Sequence, residues 1–207
     1  MLEVPVYDIQ GSQIEMLKVD EAIFGGEVNV QLLKQAVVTY HTNLHQGSAH
    51  TRNRANVAGS GRKLYKQKGT GNARRGDIRT NLMKGGGVAF GKKPYRVRQK
   101  LSKKSRQGAL ASAILSKLLG SDLMVVQGLS FQAPKTKPVA ALLTKLKADR
   151  GCLLTLNQRD DVVYRSARNI PRVDVRVVNE LNAFDVVRRR KMLVTREAMN
   201  TLMEGAK

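Results

Sequence analysis

Between Gly47 and Arg106 the chain carries 18 lysines and arginines against one acid, Asp77, and the same stretch holds ten of its 18 glycines. Arg52 and Arg54 open the run, and Arg62, Lys63, Lys66 and Lys68 follow. Arg74, Arg75 and Arg79 come next, then Lys84, Lys92, Lys93, Arg96 and Arg98, and finally Lys103 and Lys104. At such density these side chains suit one kind of chemistry: guanidinium groups fork onto pairs of phosphate oxygens, and ammonium groups act as point charges beside them. Crowded cations repel one another, and a polyanion relieves that repulsion. The other 147 residues have 19 basic and 15 acidic side chains, so the formal charge of +21 is concentrated in one segment. A segment that enters folded nucleic acid is the first expectation, and a disordered basic tail fits the composition as well.

Other spacings suggest other chemistry and fail on context. Gly86-Gly87-Val88-Ala89-Phe90-Gly91-Lys92 has the spacing of a phosphate-binding P-loop, but Lys93 stands where a magnesium-binding Ser or Thr belongs, and no buried strand precedes it. Gly69-Thr70-Gly71 could begin a dinucleotide fingerprint, yet Arg74 replaces its third glycine. His41 and His45 lie four apart, a metal-compatible spacing, but no second cysteine or nearby acid completes a zinc set. Asp160-Asp161 reads as a helix start. Asp174 and Asp185 lie among arginines as surface ion pairs, and Arg188-Arg189-Arg190-Lys191 reads as a solvated face. An enzyme acting on RNA would need a glycine-rich turn after the first strand, which Gly11-Ser12-Gln13 does not supply. No catalytic group, metal or cofactor is therefore expected. The single cysteine, Cys152, sits in an apolar run as a small buried hydrophobe and fits a reducing compartment. No apolar stretch reaches membrane-spanning length, so a soluble, cytoplasmic protein without a membrane partner is expected. Aromatics are only 4%, which argues against an aromatic stacking sheet.

The elements that hold this segment follow from periodicity. Residues 4–10 predict a strand, and Asn29 caps a helix to about His45 with Val30, Leu33, Val37, Tyr40 and Leu44 on its apolar face. A second helix starts at Ser102 and closes at Gly120, with Lys103, Lys104 and Arg106 opposing the dipole of its first turn, as if anions lay nearby. Strands at 122–127, 152–157, 173–178 and 191–194 then alternate with helices at 137–149 (capped by Thr136), 160–167, 183–189 and the C-terminus. That alternation predicts an α/β fold: a mainly parallel sheet flanked by helices in three Rossmann-like layers, interrupted by a long basic extended loop. The expected division is a globular α/β domain of residues 1–46 and 101–207, and a loop of residues 47–100.

The order of residues inside the block is more specific than its charge. Gly59-Ser60-Gly61-Arg62-Lys63-Leu64-Tyr65-Lys66-Gln67-Lys68-Gly69-Thr70-Gly71-Asn72-Ala73-Arg74 resembles the extended loop of the universal large-subunit ribosomal protein four family. Gly85-Gly86-Gly87-Val88-Ala89-Phe90-Gly91, Ala133-Pro134-Lys135-Thr136-Lys137, Arg168-Asn169-Ile170-Pro171 and Leu181-Asn182-Ala183-Phe184-Asp185 carry the likeness along the chain. Tyr65, Lys66 and Asn72 stand where the family has Trp, Arg and Arg, so planar guanidinium contacts are lost at two positions. The resemblance implies a structural constituent of the large ribosomal subunit that binds large-subunit rRNA, aids its assembly and touches neighbouring large-subunit proteins. It also implies that Lys68, Gly69, Thr70 and Gly71 lie at the loop tip beside the nascent peptide in the exit tunnel. The basic residues named above, with Gln67 and with Tyr65 as the base-stacking candidate, then form the RNA-binding set.

Overall fold

Leu123–Val126 and Cys152–Leu156 are buried along their whole length, and Lys191–Thr195 is buried at its three central residues. Strands of that kind must be covered on both faces, which calls for helices on either side of a parallel sheet. The computed structural model, which describes residues 1–205, has this arrangement. The chain divides into two units, Met1–His41 with Gln99–Lys207, and Thr42–Arg98.

The first unit runs β1 (Leu2–Tyr7), β2 (Gln13–Val19) and α1 (Val30–Asn43). The second unit contributes two short strands, β3 (Gln46–Gly47) and β4 (Tyr95–Arg96). The first then resumes with α2 (Lys103–Leu119), β5 (Leu123–Val126), α3 (Thr136–Lys145), β6 (Cys152–Leu156), α4 (Asp161–Ala167), β7 (Val173–Val177), α5 (Ala183–Arg188), β8 (Lys191–Thr195) and α6 (Arg196–Gly205). Its sheet has the order β2-β1-β5-β8-β6-β7. All neighbours are parallel except β2, which pairs antiparallel with β1 at the edge. Pro5 is tolerated in β1 because only Val6 and Tyr7 pair with β5, so its missing N–H breaks no ladder bond there.

Alternate residues of the inner strands enter two cores. Val4, Val6, Leu123, Val125, Leu153, Met192 and Val194 face a layer containing α2, α5 and α6. Met124, Val126, Cys152, Leu154 and Leu193 face α3 and α4. Buried among them, Cys152 has its thiol pushed up to about 12, chiefly by loss of solvent, so it stays protonated and inert at neutral pH.

Local chemistry sets the helix starts. Asn29 Oδ1 accepts from Leu32 N (2.9 Å), Ser102 Oγ from Ser105 N (3.1 Å), and Asp160 Oδ1 from Val162 N (2.8 Å). Five details differ from expectation. The antiparallel β2 is an addition, since no element is expected over residues 13–19; its Ile14 and Met16 are 55% and 50% exposed. The buried face of α1 centres on Ala36 and Thr39, with the expected Leu33 and Tyr40 partly buried against the core; Val30 is 68% exposed, and Leu44, equally exposed, lies beyond the helix end. Helix α3 is preceded by Lys135, which makes no side-chain cap, and Thr136 lies inside it; the helix also stops four residues short of the expected end. Asp185 is buried rather than superficial: its N–H donates to Asn182 Oδ1 (2.9 Å), and its carboxylate accepts from Arg176 Nε (3.0 Å) and Asn182 Nδ2 (2.9 Å).

The Arg188–Lys191 run is likewise partly internal. Arg189 Nε donates to Asp174, Lys191 Nζ donates to Leu146 O (3.0 Å), and Lys117 Nζ donates to the carbonyls of Arg189 and Arg190 (2.8 and 2.7 Å). The Arg189 guanidinium holds the Asp174 carboxyl below its ordinary value. A carboxyl lowered on folding contributes stability above its unfolded value of about 4, and that contribution fades as pH falls through the lowered one. Asp174→Asn should therefore cost about 1 kcal/mol at pH 7, with the gap to the parent shrinking as pH falls below about 4. Urea midpoints at pH 7 and in acid check it, and an equal gap at both would remove charge as the cause.

Candidate nucleic-acid interface

The second unit is built with almost no interior. Among its described residues only Gly87 is buried, and none of the buried hydrophobic side chains of the protein comes from Thr42–Arg98. Nested hydrogen bonds give it shape instead. Gln46 and Gly47 pair with Arg96 and Tyr95. Thr51 N donates to Lys92 O (2.9 Å), Lys92 N to Thr51 Oγ1 (2.7 Å), and Val88 N to Arg52 O (2.9 Å). Further out, Leu64 N donates to Gly76 O (3.0 Å), and the Tyr65 hydroxyl donates to Ala73 O. Each pair encloses the next, so the unit is a long hairpin that turns back between Lys68 and Gly71. There Gly69 and Gly71 take φ of +80° and +69°, backbone that side chains rarely adopt.

Glycine also lets the two limbs touch. A Cβ on Gly87 would lie 2.2 Å from the backbone nitrogen of Arg54 on the other limb, and one on Gly86 would lie 1.9 Å from Thr80 O within the returning limb. The P-loop-like spacing thus serves backbone packing between limbs.

Of the basic residues expected to meet RNA, a few are used internally. Lys63 Nζ donates to Gln67 Oε1 (2.8 Å) and to Arg75 O (3.2 Å), Arg75 Nη1 lies 3.3 Å from Met83 Sδ, and Arg79 pairs with Asp77 at 3.6 Å. Arg79 is half-buried against Gly59 and Gly61, where it braces the limbs. Tyr65 spends its hydroxyl on the opposite limb, leaving the ring for stacking. Arg52, Arg54, Arg62, Lys66, Lys68, Arg74, Lys84, Lys92, Lys93, Arg96 and Arg98 are exposed and form no ion pair with an acid among the described residues. In the first unit, Lys103 and Lys104 stand exposed in the first turn of α2, with no acid in that turn.

Two aromatics of the hairpin fall outside the expected set: Phe90, 99% exposed, and Tyr95, 66% exposed. Their signal in the sequence is an aromatic ring in a segment rich in glycine and cations, with no core to receive it.

The place where doubly wound folds hold ligands looks different. At the carboxyl ends of β5, β6 and β8 a crevice is lined by Gln127, Asn157, Asp160 and Arg196. Its polar groups satisfy each other: Arg196 bonds Glu15 (2.9 Å) and Gln127 (2.8 Å), Asn157 accepts from Thr201 (2.9 Å), and Asp160 caps α4. Among the described residues, the densest run of cations without an acid partner therefore lies on the hairpin and not in this crevice.

The chain matches the model of the ribosomal protein L4/L1 family over residues 17–205. It is 41% identical over 204 residues to large ribosomal subunit protein uL4 of Symbiobacterium thermophilum, covering 99% of both chains. The proteins of the same name from Brevibacillus brevis and Alkaliphilus metalliredigens are 40% and 39% identical over 204 residues, again covering 99% of each chain.

Proposed function

The chain belongs to the ribosomal protein L4/L1 family, and on that premise we propose that it is a structural constituent of the large ribosomal subunit, in the cytoplasm, whose hairpin binds large-subunit rRNA. The observation that carries this reading is the hairpin itself: fourteen lysines and arginines against one acid over residues 42–98, with no core. Two thin limbs joined by backbone bonds are marginal alone in water. Phosphates on both sides would neutralise the repulsion between limbs and supply the missing contacts, so binding and ordering are one process.

Contact is mostly to phosphate, sugar and RNA shape, because cations on a narrow ribbon cannot read bases paired inside an A-form helix. The distal turn, Lys68-Gly69-Thr70-Gly71, would line the peptide exit tunnel, where glycine leaves room for a passing chain. The α/β unit, with Lys103 and Lys104 on its surface, would dock against rRNA and neighbouring large-subunit proteins and guide assembly. Its role is structural rather than enzymatic.

A photo-crosslinker introduced at Thr70 tests the address. The tagged protein should sediment with large subunits and crosslink to a stalled nascent peptide, whereas the same group at Ile14 should not reach the peptide. Sedimentation apart from large subunits would reject the reading. Crosslinks from Ile14 but none from Thr70 would reject the placement of the turn.

A further inference from the structure

Phe90 is the most exposed large hydrophobic side chain in the protein, at 99%, yet its backbone is among the best anchored in the hairpin. Two residues before it, Val88 N donates to Arg52 O (2.9 Å). Two residues after it, Lys92 exchanges bonds with Thr51 through N–H to Oγ1 (2.7 Å) and Thr51 N to Lys92 O (2.9 Å). Gly91 sits so close to Thr51 that an added Cβ would lie 3.0 Å from its carbonyl oxygen, and Gly87 is buried against Asn53 and Arg54. The ring is thus held out from a short bulge clamped at both ends, with the cations Arg52, Arg54, Lys92 and Lys93 on the clamping segments.

An apolar ring held fully in water by a fixed backbone has no role in the free protein's own packing. What fits it is a flat apolar face that comes with negative charge around it. A nucleobase flanked by its phosphates has both properties, and an apolar protein pocket lacks the second. We infer that Phe90 stacks on an unpaired rRNA base, a bulged or looped nucleotide, while the neighbouring lysines and arginines take its flanking phosphates. The inference rests on the rRNA-binding reading and sharpens it, because a base inside an A-form helix offers no free face to a side chain. Every base has such a face, so the contact tolerates sequence change. Tyr65 and Tyr95 are less free: the hydroxyl of one is bonded across the hairpin, and the ring of the other lies against Gly47.

The chain has no tryptophan, which makes the test direct. The full-length protein and its variants Phe90→Trp, Phe90→Leu and Phe90→Ala are titrated with a transcript of bacterial large-subunit rRNA. Phe90→Trp should bind like the parent, and its emission should be quenched severalfold on binding, since the indole takes the same stack. Phe90→Leu and Phe90→Ala should each bind about tenfold more weakly, because an aliphatic side chain of similar bulk cannot replace a ring on a base. The salt dependence of binding should stay as in the parent, the phosphate contacts being untouched. Parental affinity in Phe90→Leu, or a blue-shifted, unquenched emission from Phe90→Trp, overturns the stacking while leaving rRNA binding in place. Failure of the parent to bind the transcript overturns both.

Discussion

Removing residues 48–94 and joining Gly47 to Tyr95 through Asn-Gly should leave the α/β unit folded and lower affinity for large-subunit rRNA about a thousandfold at 0.15 M salt. The splice is geometrically mild, because Gly47 and Tyr95 are already directly paired and a two-residue turn can close such a pair. The stability half of the expectation comes from burial: no buried hydrophobic side chain lies in the excised segment, and both cores are complete without it. Far-UV circular dichroism should keep the helical signal, and the unfolding midpoint should move by no more than a few degrees.

The affinity half comes from charge. Twelve of the hairpin's cations go with the deleted segment. If about half of them touch phosphate, the plot of log affinity against log salt should become shallower by about 4–5. A deletion variant that unfolds would show that the hairpin supports the core. One that binds rRNA with the parent's salt slope would show that the α/β unit carries the charge contacts.

Much of the α/β unit is legible in the chain because its signals are local or periodic. Asn29, Ser102 and Asp160 announce helix starts through hydrogen bonds reaching only two or three residues on, and the apolar runs of β5 and β6 are short enough, and bounded closely enough by turn residues, to read as fully covered strands. Illegible features depend on partners distant in sequence. β2 hides because its outward residues, Ile14 and Met16, are apolar, so the usual inside–outside alternation is blurred. α1 misleads because the core takes its small residue Ala36 and leaves Val30 in water, while Leu44 falls past the helix end. Asp185 reads as superficial because its burial depends on Arg176, nine positions back, on another element.

The hairpin shows the same division more sharply. Its charge is plain from composition. Its pairing is not, since the limbs are joined by backbone groups and glycines that leave no side-chain period. Phe90 is easily passed over for a related reason: a scarcity of aromatics argues against a stacking surface, whereas a single clamped ring needs no surface at all.

Gly87→Ala should weaken rRNA binding about a hundredfold without changing the stability of the α/β unit. Where the limbs cross, a methyl group at Gly87 would lie 2.2 Å from Arg54 N, 2.4 Å from the Asn53 carbonyl carbon and 2.6 Å from Arg54 Cα. All three are backbone atoms, so no rotamer change relieves the clash and the limbs must separate. Separation loses the bond from Val88 N to Arg52 O (2.9 Å) and loosens the pair beside it, Lys92 N to Thr51 Oγ1 (2.7 Å) and Thr51 N to Lys92 O (2.9 Å), a loss of about 2 kcal/mol. It also frees one end of the clamp that presents Phe90, and an unclamped ring must be ordered again on binding. These losses together give the hundredfold. Gly76→Ala is the matched control: the nearest atom to its added methyl is Thr80 Cγ2 at 3.9 Å, an ordinary contact, so its affinity should stay within about twofold of the parent. Amide exchange separates the causes. In Gly87→Ala the Val88 and Lys92 amides should exchange faster than in the parent before any RNA is added, while those of β5 and β8 stay as slow. Parental exchange at Val88 with weakened binding would place the fault in the RNA contact itself, and unchanged binding would mean that the crossing of the limbs is not what presents the hairpin to rRNA.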